Sequence, residues 1–332
     1  MKLDSVRELK LRLTARMLPQ IETAITTRSA FGRAAAPVAR LVEPPSSLAL
    51  GVSPGKGGFR LAVRVQKRAF QASREVERIT KEAKGEVDVR YVGRVSKRAL
   101  PWYQLRQRPL LIGCSIGHFK VTAGTLGCFV QPRDGGGLFV LSNNHVLANE
   151  NRGRKGDAIV QPGTLDGGTV PDDTIARLGR FIRLKKNSTN LVDCALGELA
   201  AGIAFDPVKL RGLGKMAGLG DEFIDEGTEV SKIGRTTGLT HGRVTAFELD
   251  NVVVGFDIGD LRFDNQIEFE GAGDSPFSDG GDSGSLIVDG DKLGVALLFA
   301  GSDQGGTNGQ GLTYANPLHA VLNALKVDLA LS

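Results

Sequence analysis

Short apolar runs recur along the chain after Gly113, and Gly, Asp, Asn or Pro bounds each of them. They include GTLGCFV, GLFVLSNN, TEVSKIG, GRVTAFEL, NQIEFE, GSLIVDG and KLGVALLFAG. Short strands divided by turn residues at this spacing are typical of a β-sandwich or β-barrel. Most of the 44 glycines fall in the same part of the chain. We therefore predict a mainly β domain over residues 111–332.

The N-terminal part has a different pattern. Residues 4–25 carry apolar positions at helical spacing, and residues 28–47, which end in EPPSS, are typical of a linker. Residues 48–95 alternate as strands in LALGV, FRLAVRV and VDVRYVG, with a serine-capped helix in SREVERITKEAKG. We predict a helix and linker over 1–47 and a small α/β domain over 48–110.

The end of the chain, NPLHAVLNALKV, predicts a C-terminal helix. Asn316 can cap this helix and Pro317 suits its first position. An apolar face then consists of Leu318, Val321, Leu322 and Leu325.

The net charge of +5 conceals an uneven distribution. Residues 1–110 hold 23 Lys/Arg and 9 Asp/Glu, whereas residues 111–332 hold 19 and 28. A basic part of this kind can face solvent, bind nucleic acid, or dock on an acidic surface of the same or a neighbouring subunit. The runs KRAF and KRAL match no nucleic-acid module, so we expect no nucleic-acid partner. We expect the basic part to dock on an acidic surface of the same or a neighbouring subunit, and we expect a homo-oligomer.

Cysteine usage and hydropathy bear on the compartment. Three scattered cysteines indicate neither a disulfide framework nor a zinc site, so we expect no metal and no cofactor. The charged segment MKLDSVRELKLRLTARM is not typical of a secretory signal, and no run reaches 18 apolar residues. We expect a cytoplasmic protein with no membrane partner.

The stretch FSDGGDSGSLIVDG, Phe277 to Gly290, raises the question of chemistry. Gly, Asp and Ser before an apolar run are equally typical of an ordinary surface turn. A nucleophilic serine needs a base, a carboxylate that orients the base, and donors for the developing oxyanion. The backbone N–H groups of Gly281 and Ser283 can supply those donors, and glycine at 281 permits the required backbone geometry.

Four histidines are available as a base: His118, His145, His241 and His319. Each alone is more typical of a structural histidine. His145 lies in FVLSNNHVLAN, where a strand runs into a polar turn that can aim a side chain into a cleft. Asp193 lies inside the apolar run NLVDCALGEL, which is costly unless the carboxylate is paired. A carboxylate buried against His145 accounts for this placement, and an aspartate at a water-facing strand edge is the alternative.

The segments LSNNHVLA, VDCALGEL and GGDSGSLIV, in this order, resemble the His, Asp and Ser motifs of chymotrypsin-like serine proteases over about residues 112–326. With TAGTLGCFV and KIGRTTGLTHGRV they look closest to intracellular trypsin-like proteins, which include the plant Narrow Leaf proteins and bacterial relatives. The resemblance implies a chymotrypsin-like double β-barrel and a serine endopeptidase acting on proteins or peptides. It makes His145 the general base, Asp193 its orienter, Ser283 the nucleophile, and Gly281 and Ser283 the oxyanion donors.

The resemblance also raises the question of activation. In trypsin-type zymogens a newly freed N-terminus pairs with the aspartate before the nucleophile, which is Asp282 here. We see no activation peptide. Asp282 must therefore find another partner, or the turn stays flexible until something orders it. We expect the N-terminal region or oligomerisation to control this turn.

The same resemblance places Phe277 at the base of a substrate pocket, with the strand GVALLFAGS and Leu312 in its walls. The base has no carboxylate, so we expect small or apolar substrate side chains rather than Lys or Arg. Two other functions stay open: a protein-binding module with latent or no activity, and a serine esterase or self-processing enzyme.

Overall fold

The computed structural model describes residues 1–29, 48–66, 68–93 and 100–332. It divides into two compact units, Met1–Ala99 and Leu100–Ser332. The predicted linker lies almost wholly outside the described residues. In the described part of the chain, no helix combines the length and hydropathy needed to cross a membrane.

The N-terminal unit is a small α/β fold. Its elements are α1 (Leu3–Ser29), β1 (Leu48–Gly55), β2 (Gly58–Val65), α2 (Arg74–Glu82) and β3 (Val87–Tyr91). β2 pairs antiparallel with β1 and parallel with β3. The two helices and the sheet share one core, formed by Val6, Leu9, Leu13, Leu61, Val63, Val65, Val76, Ile79 and Ala83. Helix α1 therefore packs within this unit, although the sequence placed it in a separate segment.

The C-terminal unit is built almost entirely from short strands. The strands of its first half are β4 (Leu110–Leu111), β5 (Ser115–His118), β6 (Gly124–Thr125), β7 (Cys128–Pro132), β8 (Phe139–Ser142), β9 (Ala158–Val160), β10 (Thr174–Phe181), β11 (Ala195–Leu199) and β12 (Phe205–Asp206). A one-turn helix, α3 (Asn144–Leu147), follows β8.

The second half continues the pattern to the end of the chain. Its strands are β13 (Lys209–Leu210), β14 (Gly214–Lys215), β15 (Gly218–Leu219), β16 (Glu229–Gly234), β17 (Gly238–Leu249), β18 (Val252–Phe256), β19 (Gly259–Phe263), β20 (Gln266–Gly271), β21 (Leu286–Asp289), β22 (Leu293–Gly301), β23 (Leu312–Pro317) and β24 (Val327–Leu329). Helix α4 (Leu318–Leu325) lies between the last two strands.

Most of these strands form two large sheets, and β4 with β12, β13 with β14, and β18 with β19 form separate pairs. The first has the order β24-β7-β8-β11-β10-β9-β5-β6. The second has the order β15-β22-β21-β16-β17-β20-β23, and the additional pairing of β22 with β23 closes six strands into a barrel. One closed barrel and one half-barrel confirm the mainly β, double-barrel fold predicted from the sequence.

The apolar face predicted for the C-terminal helix is confirmed, because Leu318, Val321, Leu322 and Leu325 are all buried. Its predicted cap is wrong. Pro317 occupies the cap position without a side-chain hydrogen bond. The Asn316 side chain turns away to the site described next, where it accepts a hydrogen bond from Asp193.

Candidate active site

His145 is presented by the short helix α3, directly after strand β8. Asn144 anchors this helix: its side-chain amide donates to the Ile182 carbonyl (2.7 Å) and to Asn151 Oδ1 (2.9 Å). Val146 and Leu147 are fully buried on the other side. The imidazole of His145 keeps 21% of its surface exposed, so it is held firmly and is still accessible.

Asp193 lies directly before β11 and is fully buried. Its Oδ2 is 2.5 Å from His145 Nδ1, and its Oδ1 accepts from the backbone N–H of Asn144 at 2.6 Å. The Asp193 N–H donates to Asn316 Oδ1 at 2.9 Å, and Asn143 Nδ2 donates to the Asp193 carbonyl at 2.8 Å. These bonds offset the cost of burying the carboxylate. The predicted contact between Asp193 and His145 is therefore present.

The pairing determines how His145 can act. An ionised carboxylate only accepts hydrogen bonds, so Nδ1 of His145 carries a proton and Nε2 is left as the acceptor. Burial alone lowers the pKa of His145. The charge and hydrogen bond of Asp193, together with the charge of Glu150, outweigh burial and raise this pKa above its ordinary value. Such an imidazole can accept a proton from a hydroxyl.

The turn of Ser283 is fixed between the two large sheets. Thr125 of β6 donates its N–H to the Ser283 carbonyl, and the Gly284 N–H donates to the carbonyl of Leu298 on β22, both at 2.8 Å. Gly124 lies between this turn and the residue that follows His145. A Cβ built on Gly124 would lie 2.4 Å from Val146, the residue after His145, and 3.1 Å from the Ser283 carbonyl.

This turn requires glycine on both sides of the serine. Gly281 has φ +97° and Gly284 has φ +92°, in the left-handed region that other residues rarely adopt. A Cβ on Gly284 would lie 2.0 Å from Ser142 Oγ. The glycines therefore allow the turn to approach the neighbouring strands closely while leaving Ser283 partly exposed.

Two backbone donors at this turn have no acceptor within the described residues: the N–H groups of Gly281 and Ser283. The neighbouring N–H groups do have acceptors: the Asp282 N–H donates to the Asp279 carbonyl, and the Gly284 N–H donates to the Leu298 carbonyl. Unused donors beside a serine are suited to an oxyanion. Within the same described part, Ser283 Oγ forms no hydrogen bond with His145. The oxyanion-hole role of Gly281 and Ser283 stays a prediction that this geometry supports.

Asp282 has an internal partner that sequence reasoning missed. Lys232 Nζ lies 3.0 Å from Asp282 Oδ2, and both side chains are fully buried. The same carboxylate accepts from Thr236 N at 2.7 Å, Thr237 Oγ1 at 2.6 Å and Asp279 N at 3.1 Å. The turn before Ser283 is thus held by the barrel itself.

Lys232 belongs to strand β16, on the same side as the buried Val230. Burial lowers the pKa of the Lys232 ammonium, and the charge and hydrogen bond of Asp282 oppose this change. Its position was visible in the sequence as a lysine on the inward side of an apolar strand, which demands an anionic partner.

The cavity beside Ser283 has a volume of about 240 Å³. Strand β22, the loop after it and the turn before the serine form its walls: Ser278, Asp279, Gly280, Ser283, Leu298, Ala300, Gly301, Ser302 and Asp303. Asp279 and Asp303 are exposed at this cavity, and none of its described lining residues is a Lys or Arg.

Phe277 and Leu312, predicted for the pocket, do not line this cavity. Phe277 is buried in the barrel core, where its ring stacks on Phe269 at 5.8 Å and lies 5.9 Å from Lys232 Nζ. Leu312 is only half-buried, at the start of β23. The resemblance also named the strand GVALLFAGS, and Leu298, Ala300 and Gly301 of that strand line the cavity.

The other three histidines make different contacts. His118 Nε2 is 3.0 Å from Asp157, His241 Nδ1 is 2.8 Å from Ser231 Oγ, and His319 Nε2 is 2.8 Å from the Gly220 carbonyl. Among the residues that the structure describes, no group of three or more His, Cys, Asp or Glu side chains could hold a metal ion.

Comparisons with known proteins reach only the level of the fold. No family model matches the chain, and no curated protein matches it. Solved structures that resemble it include a chymotrypsin of Cellulomonas bogoriensis, with 20% identity, a TM-score of 0.45, and coverage of 67% of this chain and 98% of the other. Protease A of Thermobifida fusca has 16% identity and a TM-score of 0.47, and the match covers 67% of this chain and 98% of the other. The Nocardiopsis protease has 15% identity and a TM-score of 0.46, and the match covers 66% of this chain and 97% of the other.

By their names these neighbours are a chymotrypsin and two proteases, and their similarity covers about two thirds of this chain. At these identities and TM-scores the likeness carries no argument about activity. The functional conclusion below therefore depends on the geometry of this chain alone.

Proposed function

We propose that the chain is a serine endopeptidase that hydrolyses peptide bonds of protein or peptide substrates through an acyl-enzyme intermediate. The observation that carries the proposal is the buried Asp193–His145 pair, at 2.5 Å, beside a glycine-supported turn that exposes a serine. A carboxylate, a base and a hydroxyl in this relationship form the machinery that nucleophilic acyl transfer requires.

In the proposed reaction His145 Nε2 accepts the proton of Ser283 Oγ as the oxygen attacks the scissile carbonyl carbon. The negative charge that develops on the carbonyl oxygen is met by the N–H groups of Gly281 and Ser283. His145 then gives its proton to the leaving amine, and the acyl group stays on Ser283. Water, deprotonated by His145, attacks the ester and releases the acid.

Asp193 has a supporting role in this scheme. It holds the Nδ1 proton of His145 and stabilises the imidazolium that forms during both proton transfers. Asn316 and Asn143 fix the Asp193 backbone on either side, at 2.9 and 2.8 Å. We assign them the role of keeping the carboxylate in register with the imidazole.

Regulation by the N-terminal unit or by homo-oligomerisation is a separate part of the proposal. The opposite charges of residues 1–110 and 111–332 support it. The buried Lys232 already supplies the partner of Asp282. Any regulation must therefore act on substrate access or assembly rather than by completing that ion pair.

Cleavage of an unfolded protein substrate tests the proposal. The products are identified by mass spectrometry, with wild type and Ser283→Ala compared at equal concentration. We expect internal cleavage that Ser283→Ala abolishes. Cleavage should also be lost in His145→Ala. It should be retained in Ser231→Ala, which removes the serine bonded to His241. Together these results would assign the activity to the site of His145 and Ser283. Hydrolysis of a nitrophenyl ester without cleavage of any peptide bond would contradict an endopeptidase and favour an esterase.

A further inference from the structure

Strands β18 and β19 form a hairpin that belongs to neither large sheet. Their register runs from Val252 opposite Phe263 to Phe256 opposite Gly259, which leaves a two-residue loop of Asp257 and Ile258. An isolated two-stranded hairpin is only marginally stable in water. Its position therefore depends on contacts that other parts of the fold make with it.

The base of the hairpin is well anchored. Leu261 and Phe263 pack with Leu184 and Phe299 in a small apolar cluster. The backbone N–H of Asn190 also donates to the Arg262 carbonyl at 2.9 Å. Phe256 and Ile258, at the other end of the hairpin, also pack against this cluster, so the loop needs a further anchor only for its backbone N–H groups.

Glu150 supplies that anchor from 107 residues away. Its Oε1 accepts from the backbone N–H of Asp257 at 3.1 Å, and its Oε2 accepts from the N–H of Ile258 at 3.0 Å. One carboxylate thus takes both backbone donors of the loop. Hydrogen bonds to an ionised acceptor are stronger than those between neutral groups. The Glu150 side chain is only 13% exposed, so water competes weakly for these bonds.

The backbone at Glu150 is itself unusual. Asn149, Glu150 and Asn151 have φ values of +47°, +52° and +69°, three consecutive residues in the left-handed region. Asparagine tolerates this conformation, but glutamate rarely adopts it. The turn is held by Asn151, whose N–H donates to Asn144 Oδ1 at 3.0 Å and whose Oδ1 accepts from Leu184 N at 2.9 Å. Strained backbone of this kind is retained where the surrounding structure enforces it, commonly beside a functional site.

Phe256, the last residue before the loop, contacts the candidate base. Its ring centroid lies 5.8 Å from that of His145, with the planes at 70°, an edge-to-face arrangement. On its other side Phe256 stacks on Phe263 at 6.0 Å. The carboxylate of Glu150 and the apolar cluster therefore together fix the loop and the ring that borders the imidazole.

We propose that Glu150 is a positioning residue for His145. By holding the tip of the β18–β19 hairpin, it keeps Phe256 against the imidazole and confines His145 to the orientation in which Nδ1 faces Asp193. This role rests on the proposed function, since it concerns the efficiency of the same base. Glu150 touches neither the reacting atoms nor the substrate in this scheme. Its positioning effect passes through Phe256, and its charge separately raises the pKa of His145.

The test uses the full chain and two readouts. The first is the rate at which a fluorophosphonate probe modifies Ser283, followed by intact mass. The second is the downfield proton resonance of the His145 Nδ1–H···Asp193 bond, assigned by its loss in His145→Gln. The variants are Glu150→Ala, Glu150→Gln, Phe256→Ala and the double variant Glu150→Ala/Phe256→Ala. Asp260→Asn is the matched control, because it removes an exposed carboxylate from the same hairpin that has no partner within the described residues.

We expect Glu150→Ala and Phe256→Ala each to slow labelling about tenfold and to broaden the Nδ1–H resonance. At a pH where His145 is neutral in every variant, the double variant should be no slower than Phe256→Ala, because both residues act on one contact. Glu150→Gln, whose amide oxygen can still accept one loop N–H, should fall between wild type and Glu150→Ala. Asp260→Asn should match wild type.

Multiplicative losses in the double variant, or an unchanged resonance in Glu150→Ala, would overturn the positioning role. Failure of the proposed function looks different: without an activated serine, folded wild type would not be labelled at all, and an esterase would be labelled but would cleave no peptide bond. The resonance would still show whether Glu150 and Phe256 hold His145. If Glu150→Ala does not fold, Glu150→Gln and Phe256→Ala decide the outcome by the same two readouts.

Discussion

Lys232 and Asp282 form an ion pair inside the second barrel, 3.0 Å from Nζ to Oδ2, with neither side chain exposed. The pair joins strand β16 to the turn that carries Ser283. A fully buried carboxylate beside the nucleophile needs a cation, and here the fold provides one from its own core. The turn is therefore ordered without a contribution from any chain terminus.

Replacement of Lys232 by methionine should damage both the fold and the site. It leaves the Asp282 charge buried without its cation, at a cost of about 3–5 kcal/mol. We expect that loss in the free energy of unfolding by urea, together with a large fall in Ser283 labelling. Lys209→Met, which removes an exposed lysine from β13, serves as the control and should change neither quantity. Wild-type stability in Lys232→Met would show that the pair does not order the turn.

The pH dependence of labelling should report the ionisation of His145. Burial lowers its pKa, but Asp193 and Glu150 outweigh burial and raise it, so the neutral base forms only above the ordinary value of about 6.5. The labelling rate should rise as pH increases through this raised pKa. The same interaction stabilises the fold below about pH 6.5, and this stabilisation is lost as pH rises through the folded-state pKa.

Asp193→Asn tests the source of that shift. Without the carboxylate charge, the pH of half-maximal labelling should move down. The maximal rate should fall by up to about 10⁴-fold, because the imidazole loses the acceptor that fixes its protonated nitrogen. Rates measured from pH 5 to 9 on both proteins check this. A midpoint that stays in place, or moves up, would rule out Asp193 as the group that raises the pKa of His145.

The cavity beside Ser283 should discriminate against acidic substrate side chains. Asp279 and Asp303 line it, and like charges at about 4 Å in water repel by about 1 kcal/mol, roughly fivefold in rate. Peptides that differ only by Gln or Glu before the cleaved bond provide the comparison, and Gln should be favoured. The preference should shrink at high salt and in Asp279→Asn or Asp303→Asn. Equal rates at low salt would show that this cavity does not receive that side chain.

Deletion of the N-terminal unit, Met1–Ala99, tests regulation. Because Lys232 supplies the partner of Asp282 from within the C-terminal unit, we expect the remaining chain to keep wild-type labelling of Ser283. Light scattering on both forms shows whether the deletion changes the oligomeric state. Loss of labelling in a deletion product that stays folded by circular dichroism would assign a direct activating role to the N-terminal unit.

Sequence reasoning found the parts of the site whose residue types conflict with their local pattern. Asp193 lies inside an apolar run and His145 follows a strand, and the structure places their side chains 2.5 Å apart. The glycines around Ser283 are explained by positive φ at Gly281 and Gly284. In each case the signal is local, so one sequence was sufficient to show it.

The parts that were missed depend on contacts between distant segments. Lys232 meets Asp282 across 50 residues, Asn316 meets Asp193 across 123, and Glu150 meets the hairpin loop across 107. Nothing local distinguishes these polar residues from solvated ones, apart from the inward position of Lys232. The resemblance placed Phe277 at the base of the pocket, whereas the structure buries its ring in the barrel core beside Phe269.

The central claim is that Ser283 is an activated nucleophile, and covalent labelling tests it most directly. Folded wild type and Ser283→Ala are treated with a fluorophosphonate probe, and the adduct is located by intact mass and peptide mapping. The account predicts one adduct per chain on Ser283, absent from Ser283→Ala and retained in Ser231→Ala. Folded wild type that stays unmodified, or an adduct on another residue, would contradict it and favour a protein-binding role for the fold.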